Sequence, residues 1–430
     1  MTSAEPGRGS MTSAEPGRGP CVVVDPYSSG ALFAQALRAE GVPVAALVTG
    51  PNPPDAYASS YRPADFPDVI VHEGDLDKTV RRVRELAPRC VVAGCESGVE
   101  LAEQVAPRVV PERCNVPELA GARRDKSLMA AAVRAAGLPV IPQICTGDVE
   151  EAAAWLDRAG LTGSDLVIKP PKSASTDGVI KVPGGSGWRE VFTGQLGRIN
   201  QFGERDERLL VQKFVTGTEY VVDTFSHDGN HSLVDVCAYA KTNNGPHMAV
   251  YDTMRWLPPD DPAVTALAGY VYGVLGAVGM RFGSAHVEVM DTVDGPVLIE
   301  LGARPHGGGQ PQFNRNATGD SQIDRTVRWL TGRELPQSYQ LLTHQMCVFH
   351  IAPRSGIMRG TGVLDAIPRL TSHHFSVQAL SDGDHVPVTR NLVDSLNFGF
   401  AILAHSDAGQ VERDYRTIRA LEQRLVIGEQ

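Results

Sequence analysis

Residues 299–310 read IELGARPHGGGQ. An apolar run, PVLIEL (296–301), carries the carboxylate of Glu300 near its end. Arg304 follows four residues later, then Pro305, His306 and three consecutive glycines. Strand interiors seldom hold a carboxylate, since a buried charge needs a partner. Three glycines in a row cost backbone entropy on folding. This strand end therefore calls for a charge, a cation and a close approach of backbone to something else.

The preceding segment, SAHVEVMDTVDGPVLIELGARP (284–305), reads as a hairpin turning at VDGP. Side chains at i and i+2 share one face of a strand, so His286 and Glu288 point the same way. The turn can bring Glu288 and Glu300 together. Two close carboxylates raise each other's pKa unless a cation lies between them. One or two hard oxygen ligands completed by water and phosphate describe a nucleotide-bound Mg²⁺ site, with Mn²⁺ as the alternative ion.

Upstream, DLVIKPPKSASTDGVIKV (165–182) ends a strand on Lys169 and returns through a Ser/Thr/Gly loop containing Ser175 and Gly178. Amides and hydroxyls of such a loop can cradle phosphate, and a lysine anchored on a strand can neutralise it. In VQKFVTGTEY (211–220), a strand and turn at Gln212, Lys213, Phe214 and Val215 can offer backbone groups to an adenine edge. Glu219 can accept from ribose hydroxyls. Lys126 opens the helix DKSLMAAAVRAAG, which Asp125 can cap and Gly137 can end.

The first part of the chain alternates short strands (CVVVD, PVAALVT, DVIVH, CVVAG) with helices at 29–41, 76–87 and 97–106. That alternation predicts a parallel sheet with helices on both faces. Its first loop, DPYSSG, lacks the Gly-rich dinucleotide fingerprint. Further helices are expected near 188–202 and 262–279, and a hairpin turning at HDGN (227–230). The opening MTSAEPGRGS–MTSAEPGRGP tandem is polar and Gly/Pro-rich, and a disordered tail is expected there.

The composition, 42% hydrophobic and 21% charged, is that of an ordinary globular protein. A net charge of −10 argues against nucleic acid and anionic membrane as partners. No apolar run is long enough to span a bilayer. Seven scattered cysteines without C-x-x-C point to the reducing cytoplasm and to no structural zinc.

The ordered set Lys126, Lys169 with its loop, Gln212–Glu219, Glu288 and Glu300-x-x-x-Arg304 resembles the ATP-grasp superfamily. The resemblance covers roughly residues 120 to 330. It implies that Lys126 and Lys169 bind phosphate, that the 212–215 turn holds adenine, that Glu219 binds ribose, and that Glu288 and Glu300 hold Mg²⁺. It also implies that Arg304 faces an acyl phosphate. Many members read Glu-x-Asn-x-Arg at the last strand; here the third residue is Gly302. The ELGAR form, together with AGCESGVELAEQVA (93–106), HVEV and GIMRGTGVLDAI (356–367), looks like the L-amino acid ligase branch, whose dipeptides enter antibiotic biosynthesis. In this reading Gly307 supplies an oxyanion-hole amide, and Gly308, His247, His286 and Glu96 contact substrate.

The expected fold is α/β: residues 1–20 a disordered tail, 21–118 a Rossmann-like domain, 119–334 an ATP-grasp domain with a small lobe at about 140–215, and 335–430 a C-terminal subdomain. The expected reaction joins two amino acids, or an amino acid and an amine, through an acyl phosphate, releasing ADP and phosphate. Intramolecular cyclisation and a non-catalytic nucleotide-binding module are the alternatives; a homodimer stays open. Lys169→Ala and Glu300→Ala are expected to abolish ADP release while leaving the circular-dichroism spectrum unchanged, because phosphoryl transfer depends on charge stabilisation. Wild-type-like ADP release by either folded variant would remove the metal–ATP assignment.

Overall fold

The computed structural model describes residues 19–173, 177–245 and 247–428, apart from the side chains at 56 and 247–249. The tandem segment before residue 19, Ser175 and the His247 side chain therefore lie outside the described residues. Four short strands, β1 (Cys21–Val24), β2 (Val44–Val48), β3 (Asp68–Val71) and β4 (Cys90–Ala93), form a sheet in the order β3-β2-β1-β4. Every pairing in it is parallel. All residues of β1 and β2 are buried, as expected of central parallel strands covered on both faces. The covering helices are α1 (Leu32–Ala39), α2 (Leu76–Glu85) and α3 (Val99–Val109). Asp75 caps α2 by accepting from the Lys78 amide at 2.9 Å.

After α4 (Lys126–Ala135) the chain forms a small antiparallel sheet: β5 (Gln143–Thr146), α5 (Val149–Arg158), β6 (Leu166–Lys169), β7 (Ile180–Val182), α6 (Trp188–Gln195) and β8 (Leu209–Lys213). Its order is β5-β8-β6-β7. Leu156, Phe192, Ile168 and Val211 pack into one core between its helices and its inner face. The helix expected near 188–202 stops at Gln195, because the chain turns at Gly197, where φ is +81°. β5 and α5 have no counterpart in the sequence reading. β5 lies on a sheet edge next to two prolines, which weakens its strand pattern.

Strands β9 (Thr218–His227), β10 (Asn230–Asn244) and β11 (His247–Trp256), helix α7 (Pro262–Ala277), and strands β12 (Gly283–Thr292) and β13 (Gly295–Gly302) build the larger sheet. Helices α8 (Gln310–Thr318) and α9 (Gln322–Leu330) follow. The sheet is extended by β14 (His344–Phe349) and, after β15 (Gly356–Arg359), by β16 (His373–Gln378). Beyond β17 (His385–Val386) and α10 (Leu392–Phe398), β18 (Gly399–His405) joins it as well. The eight strands run β13-β12-β9-β10-β11-β14-β18-β16. Helix α11 (Ala408–Glu422) and β19 (Val426–Gly428) complete the chain's described elements, with β17-β15-β19 forming a small separate sheet.

Helix α7 begins with Asp261 as cap and Pro262 at its first position, where the missing N–H does no harm. It buries Leu267, Val271 and Val274 against β12 and β13. Its Tyr270 hydroxyl donates to the Pro139 carbonyl at 2.7 Å and accepts from the Leu298 amide at 2.8 Å. The strand carrying Glu300 is thereby pinned from behind.

Two buried arginines clamp the parts together. Arg123 pairs with Glu103 of α3 and donates to the Val278 carbonyl at 2.6 Å, joining the parallel-sheet domain to the end of α7. Arg325 on α9 pairs with Asp320 and donates to the Leu233 and Ser338 carbonyls at 3.2 and 3.1 Å. Both are fully buried. Arg325→Met strips a buried carboxylate and several carbonyls of their donor. It is expected to destabilise the protein by roughly 3–5 kcal/mol. Urea titration followed by fluorescence measures this, and a loss under about 1 kcal/mol would mean that Arg325 does not hold these elements together.

Candidate active site

The hairpin β12–β13 sets Glu288 directly opposite Glu300, with a bulge immediately after Glu288. Residues paired across antiparallel strands share a face, so the two carboxylates sit side by side. They line a cavity of about 870 Å³ between the small antiparallel sheet and the eight-stranded sheet. Lys169, Gln212, Glu219 and Arg304 line it as well.

Nearby cations answer this negative charge. Lys126, the first residue of α4, places Nζ 3.0 Å from Glu300 Oε2 and donates to the Ser173 carbonyl at 2.6 Å. It stands behind Glu300 and is not among the residues lining the main cavity. Lys169 ends β6 almost fully buried. Burial, and then the charge of Lys126, bring its pKa down to about 8, against the opposing pull of Glu300, Glu288 and Glu219. Glu219 is held by Lys241, whose Nζ lies 2.7 Å from both carboxylate oxygens. Burial nevertheless raises the Glu219 pKa.

The residues expected to hold adenine lie in the cavity wall. Gln212 Nε2 donates to Gln143 Oε1 at 2.6 Å inside the cavity wall. The Phe214 amide donates to the Asp165 carbonyl at 2.9 Å, and Lys181 lies over its ring at 3.6 Å. Lys213 and Val215 line the cavity beside them. Gly178 is not among the lining residues; its neighbour Val179 is.

His286 was expected to contact substrate, but both of its ring nitrogens are engaged. Nδ1 lies 3.0 Å from Asp223 Oδ1 and Nε2 lies 3.3 Å from Glu288 Oε1. Burial alone would depress its pKa, but the hydrogen bonds to the two carboxylates raise it to about 9. His286 is thus a cation that holds Glu288 in place. Burial pushes the Glu288 carboxyl up, yet the His286 hydrogen bond and charge bring it well below the usual carboxylate range.

Glu96 was expected to reach substrate. It is buried instead, with Oε2 accepting from Arg304 Nε at 2.9 Å and Oε1 lying 3.5 Å from Arg124 Nη1. Glu96 is the counter-ion that fixes Arg304, and it comes from the parallel-sheet domain. The same pair accounts for Gly302. A Cβ at that position would stand 3.1 Å from Glu96 Oε2 and 3.2 Å from the Arg304 guanidinium. A side chain there would have to push this pair aside by a few tenths of an ångström.

The oxyanion-hole expectation named the Gly307 amide; the two amides that follow it are engaged by serine hydroxyls. The Gly308 amide donates to Ser28 Oγ at 2.9 Å, and the Gly309 amide to Ser29 Oγ at the same distance. These amides dock the run onto the first loop of the parallel-sheet domain and start α8. Gly307 and Gly308 do line the cavity. Gly308 has a φ of +66°, a left-handed backbone that disfavours any side chain.

Three residues of this site were given no role in the sequence reading: Asp223, His306 and Asn314. Asp223 is fully buried in β9 and accepts from His286 and, at 3.0 Å, from His306 Nδ1. Asn314 on α8 donates to Asp223 and to Asp235 and accepts from Trp256 Nε1 at 3.0 Å. The signal was present, since Asp223 in VVDTF and Asp235 in LVDVC are carboxylates inside apolar strands, as Glu300 is.

Residues 162–311 match the ATP-grasp domain family. The chain is 32% identical to a dapdiamide A synthase of Enterobacter agglomerans over 260 residues, 60% of each chain. It is 28% identical to a D-alanine–D-alanine ligase of Albidiferax ferrireducens over 193 residues, 42% of this chain and 51% of that one. The matches thus span about half to three-fifths of these relatives' lengths. Among solved structures, an L-amino acid ligase from Bacillus licheniformis superposes with a TM-score of 0.71 at 17% identity, covering 96% of this chain and 99% of that one. The chain shares the fold of that ligase, and the ATP-grasp match spans Lys169, Glu288, Glu300 and Arg304 of the cavity. The chain carries an ATP-grasp domain and resembles the amide-forming ligase branch of that superfamily.

Gly302→Asn is expected to push apart the Glu96–Arg304 pair. Overpacking of this kind costs about 1–3 kcal/mol. The variant should melt lower and bind Mn²⁺–ATP no more tightly than wild type in titration calorimetry. A stable variant with tighter Mn²⁺–ATP binding would show that the position can accept a metal ligand.

Proposed function

We propose that the chain is an ATP-dependent carboxylate–amine ligase that joins two amino acids, or an amino acid and an amine, through an acyl phosphate. The observation that carries this reading is the Glu288–Glu300 cross-strand pair facing one cavity with Lys169 and Arg304. Such a cavity suits a polyphosphate and a reacting carboxylate better than an apolar ligand. The relatives whose names describe amide-forming ligases support the same reading.

The donor set fits Mg²⁺. Glu288 and Glu300 offer hard carboxylate oxygens, and Gly302 adds none, so phosphate and water would complete the shell. Bound there, Mg²⁺ would neutralise charge on the nucleotide phosphates. Lys126 already faces Glu300, the carboxylate the ion would share. Lys169 binds phosphate from the facing sheet. The turn Gln212–Val215 holds adenine and Glu219 the ribose, with Lys241 steadying its carboxylate. Arg304 keeps its guanidinium in one orientation because Glu96 takes Nε and the Pro305 carbonyl takes Nη1. A fixed cation suits the developing oxyanion of the acyl-phosphate and tetrahedral states, and one such donor is typically worth ~3 kcal/mol. Positioning and charge neutralisation supply most of the catalysis in this class of reaction.

Among the described residues no helix is long and apolar enough to cross a membrane. The substrates are read as small molecules, amino acids or amines.

The test is a screen of ADP release over pairs of amino acids with product masses. Release should require both members of a pair, and the product mass should equal their sum less one water. Release with a single organic substrate and no joined product would shift the reading to cyclisation. No release with any pair would sink the ligase reading. Gly307 supplies a second test. A Cβ there would meet only Ser28 Oγ at 3.8 Å, so Gly307→Leu can be accommodated at a residue that lines the cavity. It should lower kcat/KM for bulky substrates at a cost of about 1–3 kcal/mol, with the KM for ATP unchanged. An unchanged substrate profile would place Gly307 outside the substrate pocket.

A further inference from the structure

We propose that His306 is the general base of the second half-reaction, taking the proton from the incoming amine through Nε2 while Asp223 holds Nδ1. This rests on the ligase reading. An amine that attacks an acyl phosphate becomes positively charged at nitrogen as the C–N bond forms. A base within hydrogen-bond reach must remove that proton.

The lining of the cavity offers few groups for the task besides Lys169, which the ligase reading commits to phosphate. Glu219 is held at both oxygens by Lys241. Glu300 faces Lys126, and Glu288 faces His286. His286 has both nitrogens engaged. Burial raises the pKa of Tyr239 and Tyr251 well above the usual phenol value, and Arg304 stays charged. His306 differs. It lines the cavity, its side chain is 12% exposed, and Nε2 has no hydrogen-bond partner among the described residues.

The geometry around it sets the tautomer. Asp223 is fully buried, and the two histidines pull its carboxyl down against burial, so it can only accept. His306 Nδ1, 3.0 Å from Oδ2, is therefore the protonated nitrogen, and the lone pair lies on Nε2. The His306 amide donates to Gln322 Oε1 at 2.7 Å, which fixes the backbone beneath the ring. Burial, then the neighbouring His286, lower the pKa of the imidazole against the pull of Asp223. The arrangement follows the logic of a carboxylate that orients an imidazole and steadies it once it takes a proton. The base also stands two residues after Arg304, so one short turn would serve both the carbonyl oxygen and the amine.

In the step itself the amine nitrogen forms a bond to the acyl carbon. The carbon–oxygen bond to phosphate breaks, and phosphate leaves with the electron pair. The nitrogen's proton passes to His306 Nε2, and the imidazolium then releases it to solvent. No oxidant, reductant or further reactant is needed.

The test separates the two half-reactions. Hydroxylamine is unprotonated at neutral pH and traps an acyl phosphate as the hydroxamate without a base. His306→Gln should still form hydroxamate and release ADP with a carboxylate substrate, while amide formation falls about 10²–10⁴-fold. His306→Ala should recover part of its amide formation when imidazole is added. Amide formation by His306→Gln within threefold of wild type would overturn the proposal. So would an equal loss of hydroxamate and amide in a folded variant, which would assign His306 to the first half-reaction. If wild type itself yields neither hydroxamate nor amide, the ligase reading fails first, and the proposal with it.

Discussion

Two carboxylates directly opposite each other on neighbouring strands are the constraint on which the rest of this structure depends. Glu288 and Glu300 share a face. Left alone in a partly buried place they would repel, and one would take up a proton. The chain keeps the site charged by surrounding it with cations drawn from separate elements. Lys126 comes from the start of α4, Lys169 from the end of β6, and His286 from β12 itself. The folded site is thus built around a balance of charge drawn from separate elements.

Arg304 links that site to the parallel-sheet domain. Its partner Glu96 lies just before α3, and Arg124 reaches the same carboxylate. Gly302 leaves room for this pair. Ser28 and Ser29, from the loop after β1, take the amides of Gly308 and Gly309. The glycine run, read in the sequence as a close approach of backbone to another group, is a docking segment, held on one side by serine hydroxyls and on the other by the start of α8.

A second polar network lies beneath the first. Asp223 joins His286 to His306, and Asn314 ties that carboxylate to Asp235 and to the indole of Trp256. Burial and the charge of Asp223 raise the pKa of Asp235, so two buried carboxylates stand side by side with one of them favoured to be neutral. Networks of this kind are rigid when every member is satisfied. Here that rigidity fixes the orientation of both histidines.

The sequence by itself determined the strand–helix alternation of the first domain, the β12–β13 hairpin and the identity of its charged residues. Those features follow from periodicity and turn chemistry, which act over a few residues. It brought Glu288 and Glu300 close through the turn between them, but the turn's register alone would set Glu288 against Ile299; the bulge after Glu288 is what sets it opposite Glu300. It did not determine what Glu96, His286 and the glycine amides contact. Their partners lie far along the chain: Arg304 is 208 residues from Glu96, and Gly308 is 280 residues from Ser28. Only the tertiary structure brings these groups within hydrogen-bonding distance. A buried polar atom takes whichever partner the packing supplies, and no local pattern records which one that is.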